Sequence, residues 1–219
     1  MAGRYFVQPD YFKVNGACYL SIFDTAFFIR QLGPTTAARA ITEARAILAE
    51  MGLKLHLVAI DPIAEHQPLL KEIGFDSVTH YVFLPDWKGD YLQEFSACAA
   101  LRQKQWAEYQ PATGLPYVPS VSPGWDANAR AADYGKQKPQ RYPWSPIITG
   151  NTPEAFGNFL DAAAGFACHE SKYSHPMVMI SSWNEWSEGH YLEPDVKNGF
   201  ALLEQVQKVK QRHNANRDK

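Results

Sequence analysis

The densest run of groups able to do chemistry is Ser182-Trp183-Asn184-Glu185-Trp186-Ser187-Glu188-Gly189-His190. It leaves an apolar stretch and sets two carboxylates three residues apart, between tryptophans, with a glycine and an imidazole behind them. Glycosidic-bond chemistry uses one protonated and one ionised carboxyl beside the reacting carbon. Aromatic walls raise the pKa of a carboxyl, and mutual repulsion drives the values of a close pair apart. This composition suits that division of roles, with Glu185 and Glu188 as the catalytic pair. The plainer explanation is an acidic helix start, where the helix dipole favours both glutamates. Tryptophan on both sides of Glu185, directly after a core strand, weighs toward chemistry. A metal reading also exists, since Glu185, Glu188 and His190 offer three ligands. Their spacing matches no zinc pattern and no second His/Cys cluster supports it, so neither a metal nor an organic cofactor is expected. Trp183, Asn184, Trp186, His190 and Tyr191 are expected to contact substrate, His190 by hydrogen bonding sugar or by setting a neighbour's pKa.

A second cluster is Pro123-Gly124-Trp125-Asp126, with Arg130 close behind. A tryptophan face and a carboxylate projecting from a tight turn would make a sugar platform with a hydroxyl-binding acid. The alternative is a turn whose aspartate caps the next segment. Asp24, Asp61, Asp86 and Trp87 each read as structural when taken singly. Their shared position just past strand ends is what raises them, and Asp24 is kept with Trp125, Asp126 and Arg130 as an expected substrate contact. His56 and His80 lie within strands and read as hydrogen-bonded core positions.

The elements that must position these groups alternate. Residues 17–23 follow the turn signal Asn15-Gly16 and read as a strand. A helix capped by Thr35 or Thr36 follows, with Ala37, Ala40, Ile41, Ala44, Ile47, Leu48 and Met51 on one face, stopped by Gly52. Residues 53–60 form the second strand, 62–73 carry a short helix closed by Gly74, and 77–84 form the third strand. The pattern predicts a helix over 91–109, capped by Asp90 with Gln93 reaching back. Residues 116–121 are the fourth strand, weakened by two prolines. A Pro-, Gly- and aromatic-rich loop spans 122–150. A helix opened by Thr152-Pro153-Glu154 runs to about 167, and 177–182 are the fifth strand. An amphipathic helix covers 198–211.

Alternating strands and helices imply a parallel sheet with right-handed crossovers. An open dinucleotide-binding sheet would need a Gly-rich turn after its first strand, and that turn reads Asp24-Thr25-Ala26. Polar and aromatic residues past successive strand ends instead match the mouth of a (β/α)8 barrel. The expected fold class is therefore α/β, a partial TIM-type barrel of about five parallel strands whose first strands are missing. One domain is expected over 1–212, followed by a basic flexible tail over 213–219.

Bulk properties narrow the function. A net charge of −2 over 219 residues gives no nucleic-acid footprint. Cys18, Cys98 and Cys168 are odd in number and far apart, which speaks against a disulfide framework. No apolar run is long enough to span a membrane, and the first residues lack a signal-peptide core, so a cytoplasmic location is expected. Aromatic residues make up 13% of the chain, and several tryptophans fall in loops, where flat faces suit sugar rings.

Across nearly its whole length the chain resembles the WbsX-like, glycoside hydrolase family 99-like domains of bacterial polysaccharide gene clusters. The resemblance rests on Tyr11-Phe12-Lys13-Val14-Asn15-Gly16, Gly74-Phe75-Asp76, Pro123-Gly124-Trp125-Asp126 with Arg130, and Ile148-Thr149-Gly150-Asn151-Thr152-Pro153-Glu154. It continues through Trp183-Asn184-Glu185-Trp186, Glu188-Gly189 and Leu192-Glu193-Pro194-Asp195. It implies a barrel fold and action on an oligosaccharide or polysaccharide. Related family 99 enzymes are retaining endo-α-mannosidases, whereas WbsX-like members are labelled glycosyltransferases. Carried onto this chain, Glu185 would polarise the sugar 2-hydroxyl so that the substrate itself attacks C1, and Glu188 would be the general acid/base. The rival expectations are a glycan-binding remnant without chemistry, or a part that completes its barrel with a partner chain or a missing N-terminal half.

Overall fold

The computed structural model describes residues 2–131, 139–170, 173 and 175–215. The chain forms two compact units: Met1–Tyr81 with Trp106–Val118 and Ser171–Pro176, and Val82–Gln105 with Pro119–Glu170 and Met177–Lys219.

In the first unit β1 (Lys13–Val14) turns back on β2 (Ala17–Ile22) through Asn15 and Gly16. Their φ values of +47° and +81° are the left-handed pair that a two-residue hairpin requires. β2, β3 (Leu55–Ile60) and β4 (Ser77–Thr79) run parallel in the order β1-β2-β3-β4, and Tyr117 adds a parallel bridge to Val78. All six residues of β3 are buried, the pattern of a strand covered on both faces.

α1 (Thr25–Leu32) starts immediately after β2, where the Asp24 carboxylate accepts from the Phe27 N–H at 2.8 Å. α2 is Pro34–Glu50. It begins just before the expected Thr35/Thr36 cap, because Pro34 pre-sets helical φ and lacks only an N–H that the first turn leaves unused. Its buried face is narrower than the sequence pattern: Ala37, Ile41 and Leu48 are buried, whereas Ile47 and Met51 are exposed. α3 (Leu70–Ile73) ends at Gly74, whose φ of +107° makes the left-handed stop. The Arg45 guanidinium then ties α2 to the sheet, donating to Leu55 O at 2.6 Å, Gly74 O at 2.8 Å and Asp76 Oδ2 at 2.6 Å. Asp76 Oδ2 also accepts from the Leu57 N–H at 2.7 Å.

In the second unit β5 (Leu92–Glu94) pairs in parallel with β7 (Ile147–Thr149), and β6 (Ser120–Val121) with β8 (Met179–Ile180). β9 (Asn184–Glu185) and β10 (His190–Tyr191) form a small antiparallel hairpin. α5 (Pro153–Glu170) and α6 (Ala201–Ala215) bury Phe156, Phe159, Leu160, Ala163, Leu202 and Val209. Thr152 Oγ1 caps α5 as expected, accepting from the Ala155 N–H. The first turns of α4 (Phe95–Thr113) also belong here, with Phe95, Cys98, Ala99 and Arg102 on the buried stripe.

Two sequence expectations need correction. The helix predicted from residue 91 begins at Phe95, because Leu92–Glu94 instead form a ladder with Ile147–Thr149. The Gln93 side chain bonds Asp86 and Asp90, and Glu94 caps the helix by accepting from the Ala97 N–H. The five expected strands correspond to β2, β3, β4, β6 and β8, all shorter than drawn and the last three most so, while β1, β5, β7, β9 and β10 went unseen. The basic end is helical through Ala215, where Arg212 and His213 hold Asp161 at 2.7 and 3.0 Å; residues 216–219 lie outside those described. None of the three cysteines forms a disulfide, and Cys98 is buried as expected of core packing. Among the described residues no helix is long and apolar enough to cross a membrane.

Removing Asp76 strips the Arg45 fork of its anion and leaves the Leu57 N–H without its acceptor. Asp76→Ala is expected to lower unfolding free energy by about 2 kcal/mol, read from the urea midpoint. An unchanged midpoint would show that the fork contributes nothing to the first unit.

Candidate active site

The site is built in the second unit, where β8 ends and the chain enters the β9–β10 hairpin. Ser182 organises the entry: its Oγ accepts from the Glu185 N–H at 3.2 Å and donates to His190 O at 3.1 Å. The hairpin encloses a single 3-10 turn, Trp186–Glu188, closed by Gly189 at φ +66°. The two glutamates therefore do not open a helix, and a dipole does not account for them.

Three of the motifs that carried the family resemblance pack against each other here. Trp125 O accepts from the Ile148 N–H at 2.8 Å, and the Asp126 N–H donates to Glu188 O at 2.9 Å. The backbones approach so closely that side chains are excluded. A Cβ on Gly124 would lie 2.7 Å from Asn151 Nδ2 and 2.8 Å from Gly189 O, and one on Gly189 would lie 2.8 Å from Asp126 N. Gly150 has φ +73°, and a Cβ there would lie 3.0 Å from the Glu94 Oε1.

Both carboxylates converge on Arg130. Its Nη2 lies 2.9 Å from Glu185 Oε1 and its Nη1 3.4 Å from Glu188 Oε1. Their surroundings otherwise differ. Glu185 is half-buried and also accepts from Ser187 Oγ at 2.6 Å, which in turn accepts from Arg130 Nε at 2.8 Å. The Ser187 hydrogen bond first, and Arg130 second, hold the Glu185 carboxyl below the usual range. Glu188 is only 8% exposed; its Oε1 accepts from Tyr142 OH at 2.9 Å and its Oε2 faces His190 Nε2 at 3.1 Å. Desolvation, then the hydrogen bond to Glu188, push the Tyr142 phenol up, so it stays protonated and donates.

Other expected contacts fall into distinct places. Trp125 is 4% exposed, not an open platform: its ring stacks on His190 (5.4 Å, 15°) and meets Trp87 edge-on at 5.1 Å. Asp126 caps, as its alternative reading had it, accepting from Asn128 N and Nδ2. His190 is fully buried, with Nε2 3.1 Å from the Glu188 carboxylate. Trp183, Asn184 and Trp186 are exposed. Trp186 stacks on Tyr191 (3.7 Å, 19°) and donates from Nε1 to Glu193 at 2.6 Å. Tyr191 OH donates to Asp195 at 2.9 Å, and burial, then that bond, push its phenol up to about 12. Asp24 belongs to the first unit, where it caps α1. Of the strand-end residues kept as structural, Asp61 Oδ1 accepts from the Tyr81 N–H, and Trp87 lies largely exposed beside Trp125. Tyr142 was missed by sequence reasoning; its only signal was an aromatic residue in the 122–150 loop.

The glycosyltransferase WbsX family profile matches residues 1–206. The chain belongs to this family. It is 25% and 24% identical, over 217 aligned residues, to the uncharacterized protein WxcX from two strains of Xanthomonas campestris pv. campestris, an alignment covering 92% of this chain and 28% of WxcX. The chain thus spans under a third of the length of these relatives. Its fold resembles that of the GH99 endo-alpha-mannosidase from Bacteroides thetaiotaomicron, with a TM-score of 0.64 at 15% identity over 96% of this chain and 59% of that enzyme. The same enzyme in complex with Bis-Tris-propane gives 0.66, also at 15% identity, over 100% of this chain and 64% of the enzyme. The likeness to the mannosidase, at 15% identity, is one of fold.

Two outcomes follow from this geometry. A depressed carboxyl pKa favours the folded state at neutral pH, and the advantage fades as pH falls through the folded-state value. Arg130→Gln is expected to move the Glu185 titration upward toward the ordinary 4.5, followed by carboxyl 13C NMR; an unmoved curve would assign the effect to Ser187 alone. Gly189→Ala places a Cβ against the Asp126 peptide in left-handed backbone, and should cost on the order of 1–3 kcal/mol in chemical denaturation. Wild-type stability would show that the crossing relaxes freely.

Proposed function

We propose that the chain is the catalytic part of a carbohydrate-active enzyme that uses Glu185 and Glu188 to break or form a glycosidic bond with retention. The observation that carries this reading is the convergence of two differently housed carboxylates on one guanidinium. Glu185 is hydrogen-bonded as an anion, while Glu188 sits deeper against aromatic groups.

In the first step ionised Glu185 takes the proton of the sugar 2-hydroxyl as O2 bonds to C1. The C1–O bond to the leaving group breaks, and the departing oxygen takes a proton from Glu188. In the second step Glu188 removes a proton from water or an acceptor hydroxyl, whose oxygen attacks C1. The O2–C1 bond opens and O2 recovers its proton from Glu185. Water as acceptor makes the enzyme a hydrolase; a sugar hydroxyl makes it a transferase. Arg130 spans both carboxylates and stabilises their charge. Trp183, Trp186 and Trp87 supply exposed aromatic surface of the kind on which sugar rings stack. The resemblance to an endo-alpha-mannosidase supports an α-mannoside or a similar α-linked polysaccharide segment as substrate.

Turnover of α-linked manno-oligosaccharides, with and without acceptor sugars, tests the proposal. Glu188→Gln is expected to lower kcat at least 10²-fold while binding by calorimetry stays close to wild type. Glu185→Gln should lower it comparably. Unchanged turnover in Glu188→Gln removes that residue from the mechanism.

A further inference from the structure

The two oxygens of Glu188 lie in different surroundings. Oε1 meets Tyr142 and Arg130, whose side chains are partly exposed, whereas Oε2 meets the imidazole of His190, which has no exposed surface. That imidazole is itself fixed. Trp125 lies nearly parallel to the ring (5.4 Å, 15°), and Ser182 Oγ stands 3.4 Å from Nδ1. The backbone of His190 is pinned at the same time, by its pairing with Glu185 and by the Ser182 hydroxyl on its carbonyl. A carboxyl on a three-bond side chain turns about its last torsion with little resistance, since that torsion is broad. A proton carried on the inward oxygen cannot reach a ligand.

We propose that His190 is a positioning residue: its Nε2–H holds Oε2 of Glu188 on the buried side, so that Oε1 alone is presented for proton transfer. Ser182 extends the arrangement, because the same hydroxyl that donates to the His190 carbonyl accepts the Glu185 N–H. One serine thereby sets the backbone of one glutamate and the backbone of the residue that holds the carboxyl of the other. Tyr142 and Arg130 complete the orientation from the open side, where a leaving oxygen would approach Oε1. The inference rests on Glu188 being the acid/base of the proposed reaction, but the hydrogen bond itself can be tested without turnover.

The experiment has a ligand-free and a kinetic arm. In the whole chain, imidazole 15N NMR is expected to show His190 protonated on Nε2, with that resonance moving in Glu188→Gln. A bare Nε2, or a resonance indifferent to Glu188→Gln, overturns the proposal even if a His190 variant fails to fold. In the manno-oligosaccharide assay, His190→Ala should lower kcat roughly 10²-fold, the scale of an ångström of misplacement, with KM nearly unchanged. His190→Gln, which keeps an N–H donor, should recover a large part of that loss. Wild-type kcat in His190→Ala overturns the proposal, as does a Gln variant no better than Ala when both fold. Activity surviving in Glu188→Gln would instead sink the acid/base role of Glu188, leaving the NMR result to decide on the hydrogen bond alone.

Discussion

Everything in the candidate site depends on how closely two backbone segments cross. The Asp126 N–H donates to Glu188 O, and Gly124 and Gly189 pass one another at distances that no Cβ tolerates. On its other side the same segment gives the Trp125 carbonyl to Ile148. Side chains set on this crossing inherit its geometry. Arg130 ends the short 3-10 turn that begins one residue after Asp126, while Glu185 precedes and Glu188 ends the turn that Gly189 closes. A guanidinium with a planar fork of donors can then serve both acids at once in a fixed geometry.

Arg130 bridges two acids three residues apart, while the Ser187 and Tyr142 hydroxyls each donate to one of them. The separation of roles therefore comes from the neighbours, because the residue type is the same. Burial falls on Glu188, and the serine–arginine relay falls on Glu185.

Much of this was legible in the residues, and the unread part has identifiable causes. The parallel strands at 17–22, 55–60 and 77–79 announced themselves by apolar runs near turn signals, and the Asn15-Gly16 turn by its dipeptide. β5 and β7 did not, since three-residue strands carry too little period and each is defined by a partner over fifty residues away. The Glu185/Glu188 segment and Arg130 were found by composition and spacing, which survive without knowledge of the fold. Burial was harder to read. Trp125 and His190 looked like ligand groups because loops are usually open, yet the tight crossing of the two loops covers both. Tyr142 reaches Glu188 across forty-six residues, a distance that no local pattern encodes.

The stacked pair Trp186 and Tyr191 has a consequence of its own. Each ring commits its single polar tip to a carboxylate, the indole N–H to Glu193 and the phenol to Asp195. What remains of the indole toward solvent is hydrocarbon and π-cloud, with no donor left to read the orientation of an individual hydroxyl. Under the proposed function, such a shelf would favour the flat, C–H-lined side of a pyranose over any particular epimer. Discrimination among sugars would then fall to the charged groups around Arg130, with the aromatic shelf supplying grip along a chain of varied composition.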